Sequence, residues 1–133
     1  MFYNIWADCI KRVSLKENNE NKVIRTSLII MSFLLACNFF VIMMLIQKFF
    51  DIFFYEINFT YFSDFVNYIL MLIILYFLPA LMVNLIYLYY NIDNLKISIK
   101  NSAFNGSYIL KYTLLSIFGP LIVLWIIWVY YIF

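Results

Sequence analysis

A chain of 133 residues that is 67% hydrophobic, 23% aromatic and only 12% charged departs from soluble globular domains, which run at roughly 45–50% apolar and 25% charged. Its length allows one domain and leaves no polar-patterned block for a separate soluble core. A net charge of +2, with no Lys/Arg stripe on a soluble module, is too small to argue for nucleic acid, and no such partner is expected.

In chain order, residues 1–14 place Phe2, Trp6, Cys9, Ile10 and Val13 on one helical face and Asn4, Asp8, Lys11 and Arg12 on the other. This is the pattern of an amphipathic helix, expected to lie in the membrane interface with Trp6 at headgroup depth. Leu15 to Val23 reads as a polar linker. Residues 27–47 carry no charge and as a helix would be about 32 Å long, enough to cross a hydrocarbon core of about 30 Å. The run Leu34-Leu35-Ala36-Cys37 is similar to a lipoprotein signal-peptidase site. The apolar sequence nevertheless continues past Cys37, where a mature lipoprotein turns polar, so the span is expected to be kept.

Residues 48–65 hold nine Phe or Tyr in eighteen positions, with Phe50, Phe53, Phe54, Ile57 and Tyr61 at helical spacing. Asp51, Glu56 and Asp64 keep this stretch from being a further span, and an interfacial aromatic segment is expected. The same aromatic residues, together with Trp6, form a candidate partner-docking surface. Residues 66–88 are again uncharged and would extend about 34 Å as a helix. Residues 89–111 form a loop that begins as a helical extension to about Asn101 and turns at Asn105-Gly106. Residues 112–133 make a third uncharged span, with Trp125, Trp128, Tyr130 and Tyr131 as a far-end aromatic girdle.

The fold class is therefore all-α: an integral membrane protein with three transmembrane helices, an interfacial N-terminal helix and an aromatic external segment. Lys11, Arg12, Lys16, Lys22 and Arg25 precede the first span, Lys96, Lys100 and Lys111 lie between the second and third, and Lys48 alone lies between the first and second. The positive-inside bias puts the N-terminus in the cytoplasm and the C-terminus outside, in a cell (inner) membrane.

Depth along the spans then singles out polar and kink-forming residues. Pro79 and Pro120 fall about 14 and 12 Å from the inner ends of their helices, and each frees the carbonyl four residues earlier, Leu75 and Ser116. Asn38 lies near the level of the Leu75 carbonyl, and Asn84 shares a level with Ser116. We expect Asn38 to donate toward Leu75 and Asn84 toward Ser116, setting helix register. Ser32 and Ala36 in the first span and Thr113, Ser116 and Gly119 in the third should permit close approach.

Chemistry beyond this is sparse. The chain has no histidine, the commonest acid/base residue and metal ligand, and no Asp, Glu, Lys, Arg or His lies inside a span, which argues against ion-coupled transport. Cys9 and Cys37 fall at different depths and can neither pair nor chelate together. Asp51, Glu56 and Asp64 match no metal-loop spacing. Phosphate-loop and nucleophile motifs are absent. No catalytic residue, metal, cofactor or small-molecule substrate is expected. Three spans in a short chain are similar in topology to phage holins, many of which end in a charged cytoplasmic tail. Here the chain ends in Tyr130, Tyr131, Ile132 and Phe133. Two functions fit: an accessory subunit that binds or stabilises a larger membrane complex, and a self-associating pore or membrane-disrupting effector, with lipid and a membrane protein or a second copy as the partners.

Overall fold

The computed structural model describes residues 1–50, 59–98, 100 and 105–132, with Phe50 and Ser98 described in their backbone only. All of its regular structure is helical: α1 (Phe2–Ser14), α2 (Glu20–Phe50), α3 (Asp64–Leu72), a π-helical turn (Ile73–Phe77), α4 (Leu78–Ser98) and α5 (Ser107–Ile132). Three helical stretches, Glu20–Phe49, Asp64–Ile97 and Ser107–Ile132, are long and apolar enough to cross a membrane.

Local sequence explains most of the boundaries. The polar linker is shorter than expected because Asn19 caps α2: its Oδ1 accepts from the amides of Asn21 at 3.1 Å and Lys22 at 3.4 Å, satisfying donors that a helix start leaves orphaned. Ser63 accepts from the Val66 amide at the start of α3, and Asp64 stands in that first turn, where its charge complements the helix dipole. Asn67 then clamps the chain that precedes it. Its Oδ1 accepts from the Phe59 amide at 3.1 Å while Nδ2 donates to the Phe59 carbonyl at 3.2 Å. The turn expected at Asn105-Gly106 is present. Gly106 has a φ of 87°, a conformation costly for any residue with a Cβ, and Asn105 Oδ1 accepts from Ser107 N–H. α5 accordingly starts five residues before the expected Tyr112.

The expected break at Pro79 takes a specific form. The π turn ends immediately before α4, and the Leu78 amide donates back to the Ile73 carbonyl, one residue further than in an α-helix. The wider turn places the irregularity just ahead of the residue that has no donor. Pro120 lies within α5.

α2 is the central element, packed against α1, α4, the π turn and α5. Among the described residues, no Cα–Cα approach within 8 Å joins α4 to α5. α1 contacts α2, α4 and α5 alike, and so closes one half of the groove that α4 and α5 leave over α2. This corrects the expectation of a lipid-facing α1: Trp6, Ala7 and Asp8 are 0% exposed, and Ile5, Trp6, Cys9 and Ile10 join Val23, Met31, Leu34, Leu88, Leu95 and Ile109 in one core. Amphipathicity reports that one face is covered, and here the cover is protein.

Candidate functional site

Apart from Asn67 of α3, the buried polar residues Asp8, Ser27, Ser32, Asn84 and Ser116 lie where α1, α2, α4 and α5 pack together around α2. Trp6 Nε1 donates to Asn84 Oδ1 at 3.2 Å, and Asn84 Nδ2 donates to Ser32 Oγ at 3.4 Å and to the Ala80 carbonyl at 3.1 Å. One asparagine thereby joins α1, α2 and α4. The Trp6 indole also lies near Tyr87, 6.2 Å between centroids, and Phe2 meets the same tyrosine edge-on at 4.8 Å. Such aromatic contacts add about 0.5–1.5 kcal/mol each beyond burial.

A second cluster joins α2 to α5. Asn38 Nδ2 donates to Tyr112 Oη at 2.9 Å and to Ser116 Oγ at 3.0 Å. The partners differ from those read by depth: Asn38 meets Ser116 rather than the Leu75 carbonyl, and Asn84 meets Trp6 and Ser32 rather than Ser116. Depth sets height along a helix but not the face. Since α2 lies between α4 and α5, the Asn84–Ser32 and Asn38–Ser116 bonds each cross an interface of α2. Ser116 and Ser32 are fully buried and Ala36 nearly so, as close approach requires. Gly119 has no neighbour within 4 Å of where a Cβ would be, so it does not contribute to a helix contact. Thr113 donates its hydroxyl to the Ile109 carbonyl of its own helix.

The seat of α1 carries the remaining polar groups. Asp8 Oδ2 accepts from the Tyr108 amide at 2.7 Å, placing a carboxylate at the start of α5, where the dipole favours negative charge. Its Oδ1 is buried without a hydrogen-bond partner. Cys9 is 2% exposed. Burial pushes its thiol from 9.0 up to about 11, with the Ser27 hydroxyl and Arg12 acting in the opposite direction and Asp8 adding to the rise. Such a thiol is unreactive. Trp6, a candidate partner-docking residue, is consumed inside the chain and has no exposed surface to offer.

Of the other docking candidates, Tyr61 is exposed, while Phe53, Phe54 and the side chain of Phe50 lie outside the described residues. At the end away from α1, Lys48 Nζ sits 3.3 Å from the centroid of the Tyr131 ring, tying α2 to α5 by a cation–π contact. Cys9 and Cys37 are both free. Among the described residues no group of three or more Cys, Asp or Glu is placed to hold a metal ion.

Between α2, the π turn and α5 lies an apolar cleft of about 410 Å³, lined by residues that include Phe33, Ala36, Cys37, Tyr68, Tyr76 and Pro120. Pro79 does not line it. Sequence reading missed this cleft, as it missed Tyr112, Ser32 and Asp8 as partners. For Asp8 the signal was available: an acid flanked by Trp6, Ala7, Cys9 and Ile10 and the sole acid of its helix. No family model, curated protein or solved structure matches the chain.

Proposed function

We propose that this chain is a three-span, non-enzymatic membrane protein that acts as an accessory or structural subunit of a larger membrane complex. The observation that carries the reading is the distribution of polarity. Four polar side chains of the long helices are hydrogen-bonded across helix contacts, Asn84 to Ser32 and Asn38 to Ser116, whereas the outward faces are largely apolar. In α5 only Ile109 and Ser116 of 26 residues are buried, leaving Leu114, Leu115, Phe118, Leu121, Ile122 and Trp125 exposed. A surface of this kind belongs in lipid or against another apolar helix.

Charge supports the proposed orientation. Lys11 and Arg12 belong to α1, Lys22 and Arg25 to the first turns of α2, Lys96 to the end of α4 and Lys111 to the start of α5, with Lys16 and Lys100 just beyond α1 and α4, so we assign that end to the cytoplasm. Pairwise use of Asn38 and Asn84 weighs against a pore, because a water-filled lumen needs polar groups left free to face it.

Affinity isolation of the tagged chain in mild detergent tests the role. A stoichiometric membrane-protein partner is expected. Recovery of a homo-oligomer alone, with rapid loss of membrane potential on induction, would replace the subunit reading by the pore; recovery of the chain alone would remove the subunit reading.

A further inference from the structure

We infer that the cleft between α2, the π turn and α5 is a binding site for a single hydrocarbon chain of a membrane lipid, an inference that rests on the membrane reading above. The groove over α2 is one continuous feature with two halves. In the half nearer the chain's start, α1 fills it, touching α4 on one side and α5 on the other. In the other half the walls persist as α3, the π turn and Pro120 of α5, the floor persists as Phe33, Ala36, Cys37 and Phe40 of α2, and about 410 Å³ is left between them.

Size decides the occupant. A helix about 10 Å across and one leaflet (about 15 Å) long displaces about 1,200 Å³, roughly three times the cleft volume, so a partner helix or a second copy could rest across the open side but not fill the cleft without the walls parting. The wall from Tyr68 to Phe77 extends about 14 Å, so the cleft averages about 30 Å² in section, wide enough for a hydrocarbon chain and too narrow for a helix about 10 Å across. Chemistry agrees: no charged residue lines it, and its only side-chain heteroatoms are those of Cys37, Tyr68 and Tyr76. An apolar void gains dispersion contacts from any apolar occupant, and in a bilayer the occupant present throughout is lipid hydrocarbon. The π turn forms part of the wall: Ile73, Tyr76 and Phe77 all belong to it.

The test uses the full chain reconstituted in vesicles of phosphatidylcholine that carries a photoreactive diazirine midway along one acyl chain. After flotation and illumination, cross-links are mapped by mass spectrometry. Cross-links are expected to concentrate on Phe33, Cys37 and Tyr76 over outward residues such as Ile126. Ala36→Phe, which fills the floor, should lower cleft labelling about tenfold while leaving Ile126 unchanged. Cys37→Phe is a second filling variant should the first not fold, and the unmodified chain gives a map that needs no variant. Uniform labelling in floated vesicles overturns the lipid site alone. A Cys37–Cys37 disulfide between copies also overturns it, by showing protein in the cleft. Failure to float overturns the membrane reading and the lipid site with it.

Discussion

Asn84→Leu tests the docking of α1 at its most connected residue. The substitution keeps side-chain bulk but removes the acceptor for Trp6 Nε1 and the donor for Ser32 Oγ, leaving a buried indole N–H with no partner. An orphaned buried donor costs about 1–3 kcal/mol, a factor of about 5–150 in the population of chains with α1 released. Cys9 reports that population, since it is 2% exposed when docked, and a thiol raised from 9.0 to about 11 has a thiolate fraction at neutral pH about a hundredfold lower than a normal one. In a Cys37→Ala background, Cys9 alkylation should therefore be slow in the parent chain and about 5- to 150-fold faster in Asn84→Leu. Tyr89→Phe, at an exposed position, is the control and should change nothing. Equal alkylation rates in parent and Asn84→Leu would refute the docking of α1 through this residue, as would parent Cys9 reacting as fast as a free thiol.

Further expectations concern neighbouring contacts. Because the Cys9 thiol is raised on docking, its contribution to stability is fully present below about pH 9 and is lost as pH climbs through about 11. That loss amounts to about 2–3 kcal/mol, and Cys9→Ala should remove it from the difference between denaturation midpoints at pH 8 and 11. Asp8→Ala should cost about 1–2 kcal/mol by uncapping α5. Asp8→Asn, which keeps an acceptor for Tyr108 N–H, should recover most of that, as read by thermal unfolding in detergent. A double-mutant cycle on Lys48→Met and Tyr131→Leu should return a coupling of about 0.5–1 kcal/mol, and a coupling of zero would remove the cation–π tie. Pro79→Ala restores a backbone donor for the Leu75 carbonyl; slower hydrogen exchange over Ile73–Phe77 is expected, and unchanged exchange would separate the π turn from the proline.

The helical class and the three long apolar helices were legible because charge-free length needs no knowledge of neighbours. Gly106 and the helical continuation beyond Leu88 as far as Ser98 followed from turn chemistry and periodicity for the same reason, being local, while the expected end near Asn101 lies outside the described residues. What the sequence concealed depends on which helix lies in the middle. Asn38 and Asn84 were recognised as the polar residues of the spans, yet their partners came out differently because height along an axis leaves the facing helix open. With α2 central, Asn38 reaches Ser116 and Asn84 reaches Ser32. The seat of α1 was hidden by a physical ambiguity: an apolar face bearing Trp6 suits lipid headgroups and a protein groove equally. The π turn leaves no mark in composition, and Asn19 as a cap was masked by the polar residues around it.

The central claim, that this polypeptide crosses a bilayer three times, is tested most directly by compartment reporters fused in turn to the two ends. Opposite compartments are expected, with the N-terminus on the cytoplasmic side. Both ends in one compartment, or a purified chain that stays monomeric without detergent, would contradict it.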